Sequence, residues 1–186
     1  MKVLTKNAPE NSDIALRAAV ETAKERGLDI IAATTGGATG IKLSEIAEEL
    51  GYQGHIVLVS HAYRIGGENP MPAEVRSELE KKVYRIVTAA HALSGGERGI
   101  SSVYKGMYPL EIVAQTLRMF GPGVKVCVEC AMMAADNGAV KPGVPAVCIG
   151  GTGRGADTVC IVSPAPSAAM FETKINEVLV KPGLYE

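Results

Sequence analysis

Short apolar runs alternate with amphipathic stretches along most of this chain. Ile30-Ile31-Ala32-Ala33, Ile56-Val57-Leu58-Val59 and Ala146-Val147-Cys148-Ile149 are apolar without a break. Each is short enough for one strand and reads as a strand buried on both faces. Leu43, Ile46, Ala47 and Leu50 instead repeat at i, i+3, i+4 and i+7, the stripe of a helix with one buried side. The same spacing predicts a helix from Asn11 or Ser12, either of which can cap it, to Arg26, with Gly27 as its stop. Pro72 opens a helix to about Lys82, and Pro109 opens another with Leu110, Val113, Ala114 and Leu117 inward. Gly121-Pro122-Gly123 breaks that one, and Val124 to Asn137, apolar nearly all round, predicts a central buried helix.

Strands are expected at Asp29–Ala33, His55–Ser60, near Val83–Thr88, and at Ala146–Gly150 and Thr158–Val162. The stretch from His91 to Ile100 leaves room for a short helix; the tail offers another near Met170 and an edge strand at Val178-Leu179-Val180. Only Gly151-Thr152-Gly153-Arg154-Gly155-Ala156-Asp157 joins the last two core strands. That is too short for a parallel crossover, so the pair forms an antiparallel hairpin. The pattern predicts an α/β fold: a three-layer α/β/α sandwich on a mostly parallel five-stranded sheet with an antiparallel C-terminal hairpin strand. No repeat or linker divides it, so residues 1–186 read as one domain.

Composition narrows the partners. The chain has 186 residues, 47% of them hydrophobic and 21% charged, as in ordinary globular proteins. A net charge of -1 without a basic or acidic block argues against nucleic acid and a membrane surface. No apolar run reaches bilayer-spanning length, and Met1-Lys2-Val3-Leu4-Thr5-Lys6 turns polar at once, so a cytoplasmic location is expected. With no Trp and two Phe, platforms for stacking nucleobases are scarce. Cys127 and Cys130 have CxxC spacing, but no second metal-binding pair follows; they read as buried structural thiols, with a metal or redox role as the alternative. No metal site is expected.

Chemistry gathers at the predicted C-terminal strand ends. Thr34-Thr35-Gly36-Gly37-Ala38-Thr39 follows the first strand, Ser60, His61 and Arg64 the second, His91 and Ser94 the third, and Gly151-Thr152-Gly153-Arg154-Gly155 the fourth. In an open parallel sheet that edge is where ligands bind. A strand, a loop of small residues and a helix start make an anion cradle, so the Thr34 loop reads as a phosphate site, or else as a plain tight turn. The P-loop pattern is missing, and the Gly-rich stretch around Arg154 lies in a hairpin, so it is not the dinucleotide fingerprint. That hairpin is either a ligand contact or a flexible turn. His61 and His91 are candidate acid–base groups, or capping and surface histidines. Glu129, inside the apolar helix, requires a partner, most simply an Arg or Lys.

Taken in order, the loop Ile31–Gly40, the hairpin Gly150–Val162, Val59-Ser60-His61, His91-Ala92-Leu93-Ser94-Gly95 and Leu117-Arg118-Met119-Phe120-Gly121 are similar to a known family. The chain resembles the C-terminal α/β domain of pyruvate kinase, in the form of small stand-alone archaeal and bacterial homologues. The Thr34 loop looks like that domain's effector-phosphate loop, and the hairpin like the segment that covers the same effector. These 186 residues lack the barrel that carries pyruvate kinase chemistry, so the resemblance implies ligand capture without that activity. Gly37-Ala38 stands where the effector loop often has another hydroxyl, and His61, Arg64, His91 and Ser94 imply a larger ligand than a sugar bisphosphate. The resemblance implies a phosphorylated small molecule, with flavin mononucleotide (FMN) as the leading cofactor and a homo-oligomer as a compatible assembly. The alternative is an enzyme acting on a phosphoester, or through a bound flavin, with His61 and His91 as acid and base.

Overall fold

The apolar runs become the middle of a sheet. In the computed structural model, which describes residues 1–5, 10–63, 65–82 and 85–183, strands β1 (Lys2–Leu4), β2 (Asp29–Ala33), β3 (Ile56–His61), β4 (Arg85–Ala89), β5 (Ala146–Gly150), β6 (Thr158–Ser163) and β7 (Lys174–Pro182) lie in the order β1-β7-β6-β5-β2-β3-β4. Helices α1 (Asn11–Arg26), α2 (Ala38–Glu49), α3 (Ala73–Glu80), α4 (Gly95–Tyr104), α5 (Pro109–Arg118) and α6 (Pro122–Asp136) connect them, with a 3-10 stretch at Ser167–Glu172.

The two faces of β2 show the layering. Ile30 and Ala32 pack with Ala15, Leu16 and Ala19 of α1 and with Leu43 and Ile46 of α2. Ile31 points the other way, into Val124, Cys127, Ala131 and Ala134 of α6. Alternate residues of one strand thus feed two separate cores, which is why the run carries no polar position. Each fully buried Leu or Ile contributes roughly 1.5–3 kcal/mol, and Leu16, Ile30, Ile31, Leu43 and Leu58 are all at 0% exposure.

The α/β/α sandwich, the parallel pairing of β2, β3 and β4 and the antiparallel β5–β6 hairpin follow the sequence pattern. Among the described residues the sheet has seven strands rather than five. β7 runs antiparallel to β6, and its far side pairs in parallel with β1, so the tail strand is not at the edge. Three further local readings change. The residue before α1 is Glu10, and neither Asn11 nor Ser12 caps the helix. Asn11 Nδ2 donates to the Thr5 carbonyl at 2.6 Å, while Ser12 Oγ accepts from the Ala156 N–H at 3.0 Å. Pro122 begins α6 instead of merely ending α5, because its fixed φ suits a first helical position. The third predicted strand shifts to Arg85–Ala89; residues 83 and 84 of that reading lie outside the described residues.

β2 is the pivot. It pairs with β3 on one side and β5 on the other, both in parallel. The chain moves outward through β3 and β4, then returns across β2 to lay down β5. The C-terminal end of β2 is therefore the switch point in strand order, the crevice where open sheets hold ligands.

Candidate functional site

Four strand ends and four helices surround a cleft of about 610 Å³ at that switch point, a size typical of small-molecule sites. The loop after β2 forms one wall. Thr34, Thr35 and Gly36 line it, and Ala38 and Thr39 continue the lining into the first turn of α2. That turn's free N–H groups and the helix dipole favour an anion. Thr34 is only 4% exposed, yet its Oγ1 has no hydrogen-bond partner among the described residues. A buried polar atom without a partner is uncommon and costs free energy. Gly37 shapes the loop instead of lining it. Its φ of +97° is left-handed, and a Cβ there would collide with Val75 of α3.

The hairpin forms the opposite wall with Gly151, Gly153, Arg154 and Gly155. Thr152 is exposed and outside the lining; its N–H donates to Asp157 Oδ2 at 2.9 Å. Asp157 Oδ1 in turn accepts from Thr158 Oγ1 at 2.6 Å. The start of α6 presses on the hairpin's base: a Cβ on Gly123 would meet Thr158 Oγ1, and one on Gly150 would meet the Gly123 carbonyl. Two glycines therefore allow α6 to begin inside the cleft, and Pro122 lines it.

Ser60, His61, His91 and Ser94 supply the floor and the far side. Ser60 Oγ donates to the Thr35 carbonyl at 3.3 Å and steadies the loop. The two histidines meet. His91 Nε2 is 3.1 Å from His61 Nδ1, with their rings edge to face. His91 Nδ1 is 2.8 Å from Glu129 Oε2. Glu129 is 1% exposed, and also pairs with Lys125 one turn back on α6 and accepts the Leu93 N–H at 3.0 Å. Burial alone pushes the Glu129 carboxyl up, but the His91 hydrogen bond and the Lys125 ammonium outweigh it and hold it at about 2. Glu129 is thus ionised at neutral pH, so His91 Nδ1 carries a proton and donates it. With one proton on the ring, His91 Nε2 faces His61 Nδ1 as an acceptor. The partner expected for Glu129 is present as Lys125, joined by a histidine that sequence spacing could not supply.

Arg98, Arg118 and Lys125 line the cleft without having been singled out as site residues. Arg118 lies within a stretch that carried the family likeness, Arg98 just beyond another, and Lys125 stands four residues before Glu129, the spacing of a helical ion pair. Four cations, counting Arg154, face this space with Glu129 the single acid among the lining residues. Val59, Val126 and Met133 add an apolar strip. Arg64 lies outside the described residues.

All four cysteines are free and buried. Cys130 touches the cleft, but burial pushes its thiol up to about 12, and burial raises Cys127 and Cys148 as well. These thiols are inert packing groups. Among the described residues no group of His, Cys, Asp and Glu is placed to hold a metal ion, and no helix is long and apolar enough to cross a membrane.

A family model supports the architecture independently. The model described as pyruvate kinase, alpha/beta domain, matches residues 13–162, from the first turn of α1 to the last core residue of β6. That span is most of the chain and contains every wall of the cleft, so the protein belongs to the pyruvate kinase alpha/beta domain family.

Proposed function

We propose that this protein binds a phosphorylated small molecule in the cleft at the end of β2, with the phosphate on the Thr34–Thr39 loop. One observation carries the reading: Thr34 Oγ1 is buried without a partner among the described residues, at the mouth of a helix, in a cleft whose lining charge is net positive. A phosphate oxygen there accepts from the hydroxyl and from the α2 N–H groups together. Arg154 closes over the same anion from the hairpin.

Among phosphorylated ligands, FMN is the specific candidate. Its phosphate suits the loop, and the strip of Val59, Val126 and Met133 suits one face of a flat ring system. Bound FMN supplies reversible electron transfer; the chain's own residues bind, orient and shield it. Titrating the protein with FMN and with riboflavin, followed by flavin fluorescence, tests both statements. FMN is expected to bind at least a hundredfold more tightly than riboflavin, since the two differ only in the phosphate. Equal affinities would contradict the phosphate site. Failure of both to bind, with another phosphorylated compound stabilising the fold, would remove FMN alone.

A second reading has its own observation. The chain Glu129–His91–His61, with contacts of 2.8 and 3.1 Å, is built to carry a proton along a fixed line. On this reading the protein is an enzyme acting on a phosphoester, or through a bound flavin, with His61 and His91 as acid and base. His91→Asn should then abolish turnover while ligand affinity changes by less than threefold. Parallel loss of binding and turnover would leave the binding reading alone.

A further inference from the structure

The contact between His61 and His91 has a direction. Lys125 and Glu129 lie one turn apart on α6, and both are buried. The Glu129 carboxylate is held from several sides. Oε1 accepts from the Leu93 N–H at 3.0 Å, and Oε2 is shared by the Lys125 ammonium and by His91 Nδ1, the latter at 2.8 Å. A carboxylate fixed in this way requires a proton on His91 Nδ1. When that is the only proton on the ring, His91 Nε2 is a lone pair, and two lone pairs do not face each other at 3.1 Å. His61 Nδ1 must then be the donor. With one proton on each ring, the nitrogen left bare at the end of the chain is His61 Nε2, and His61 lines the cleft.

The charges around the pair decide where a further proton settles. Glu129 is the single acid among the lining residues, whereas Lys125 of α6, Arg98 of α4, Arg118 of α5 and Arg154 of the β5–β6 hairpin are cations. Positive charge is therefore favoured on the ring that touches Glu129, which is His91, over His61, one ring farther away.

We propose that His61 and His91 form an ordered proton relay, in which His61 takes a proton from the ligand at Nε2 and Glu129 is the positioning residue that draws the resulting charge onto His91. The ligand's N–H or O–H bond breaks, its electron pair stays on the ligand, and a bond forms to His61 Nε2. The His61 Nδ1–H bond breaks as a bond forms to His91 Nε2. The charge ends as an imidazolium against the Glu129 carboxylate, and His61 is left with its proton on Nε2 instead of Nδ1. The reverse sequence returns the proton. The relay rests on the second, enzymatic reading of the cleft and divides its labour: only His61 exchanges a proton with the ligand, and the substrates are phosphorylated molecules with an ionisable N–H or O–H.

Long-range proton–nitrogen correlation spectra of the ligand-free protein test it, because a ring nitrogen that loses its proton moves downfield. The chain has only 3 histidines, so single His→Gln variants assign the signals. In wild type with one proton per ring, both His61 and His91 are expected with Nδ1 protonated and Nε2 bare. On acidification the first proton taken up by the pair should change both rings in one step: His91 gains Nε2–H, and His61 exchanges Nδ1–H for Nε2–H. His91→Phe keeps a ring in place without an acceptor, so His61 should lose its Nδ1–H form. A wild-type His61 protonated at Nε2 with Nδ1 bare would overturn the relay. So would a first proton that stays on His61, or a His61 that keeps Nδ1–H in His91→Phe. The wild-type spectra decide even where His91→Phe melts early. They need no ligand, so the relay and the ligand reading fail separately. Reversed tautomers in a protein that binds FMN refute the relay alone. The expected tautomers in a protein that binds neither FMN nor inorganic phosphate refute phosphate capture and leave the relay standing.

Discussion

Thr34 is buried at the fold's expense. Its hydroxyl gives up water and gains no partner among the described residues, a penalty of roughly 1–3 kcal/mol. Valine has nearly the same shape without the hydroxyl. Thr34→Val should therefore raise the melting temperature of the ligand-free chain by a few degrees, read by scanning calorimetry, while phosphate affinity falls about tenfold. A lower melting temperature for ligand-free Thr34→Val would show that the hydroxyl stabilises the fold. Glu129 has the opposite character. Its carboxyl is held at about 2 against an ordinary value of 4.5. Because the folded value is depressed, the stabilisation is complete above about pH 4.5 and is lost as pH falls through 2. Glu129→Gln removes it and strands the buried Lys125 ammonium, at a cost of roughly 3–5 kcal/mol at pH 7. Urea melts at pH 7, 4 and 2 should show the gap between wild type and Glu129→Gln narrowing over the last step. Replacing both partners, Lys125→Met with Glu129→Leu, should recover only part of that loss at pH 7, because the Leu93 N–H and His91 Nδ1 still lose their acceptor. That Glu129 needs a partner was legible, since a carboxylate stood in an apolar run. That His91 also reaches it was not, because 38 residues separate them and only the topology brings them together.

At the scale of elements, the hairpin is the informative case. Its seven linking residues exclude a parallel crossover, so β5 and β6 were legible as antiparallel from spacing alone. β7 and β1 were harder for a physical reason. β7 was legible only at Val178-Leu179-Val180: its start, Lys174-Ile175-Asn176-Glu177, is exposed throughout, and β1 buries only Leu4, so neither of these stretches writes a hydrophobic pattern. Ser12 illustrates the same limit. It looks like a cap because serine before an apolar stripe usually is one, but its hydroxyl instead holds the hairpin through the Ala156 N–H. Ser12→Ala should leave that buried N–H without a partner and lower stability by roughly 1–3 kcal/mol. The hairpin would then open more readily: amide exchange at residues 151–157 should accelerate, and phosphate affinity should drop severalfold as Arg154 loses its anchor. Unchanged exchange in that segment would mean that α6, and not Ser12, sets the hairpin's position.

For the whole molecule, the arrangement of charge matters more than its sum. The chain carries a net charge of -1, yet its cleft gathers four cations against one acid. The fold achieves this by returning across β2 to form β5, so that loops distant in sequence share one crevice. Most of the lining was legible because each strand end was followed by Gly, hydroxyl or His. Arg98 and Arg118 were not, since a charge in a Gly-rich stretch or in a helix's last turn ordinarily faces solvent. The role proposed for the molecule is to hold a phosphorylated small ligand, and native mass spectrometry of protein purified without denaturation tests it most directly. A bound species that loses a phosphate group on fragmentation, and that Thr34→Val depletes, is the expected result. A bound species without phosphorus, retained equally by wild type and Thr34→Val, would contradict it.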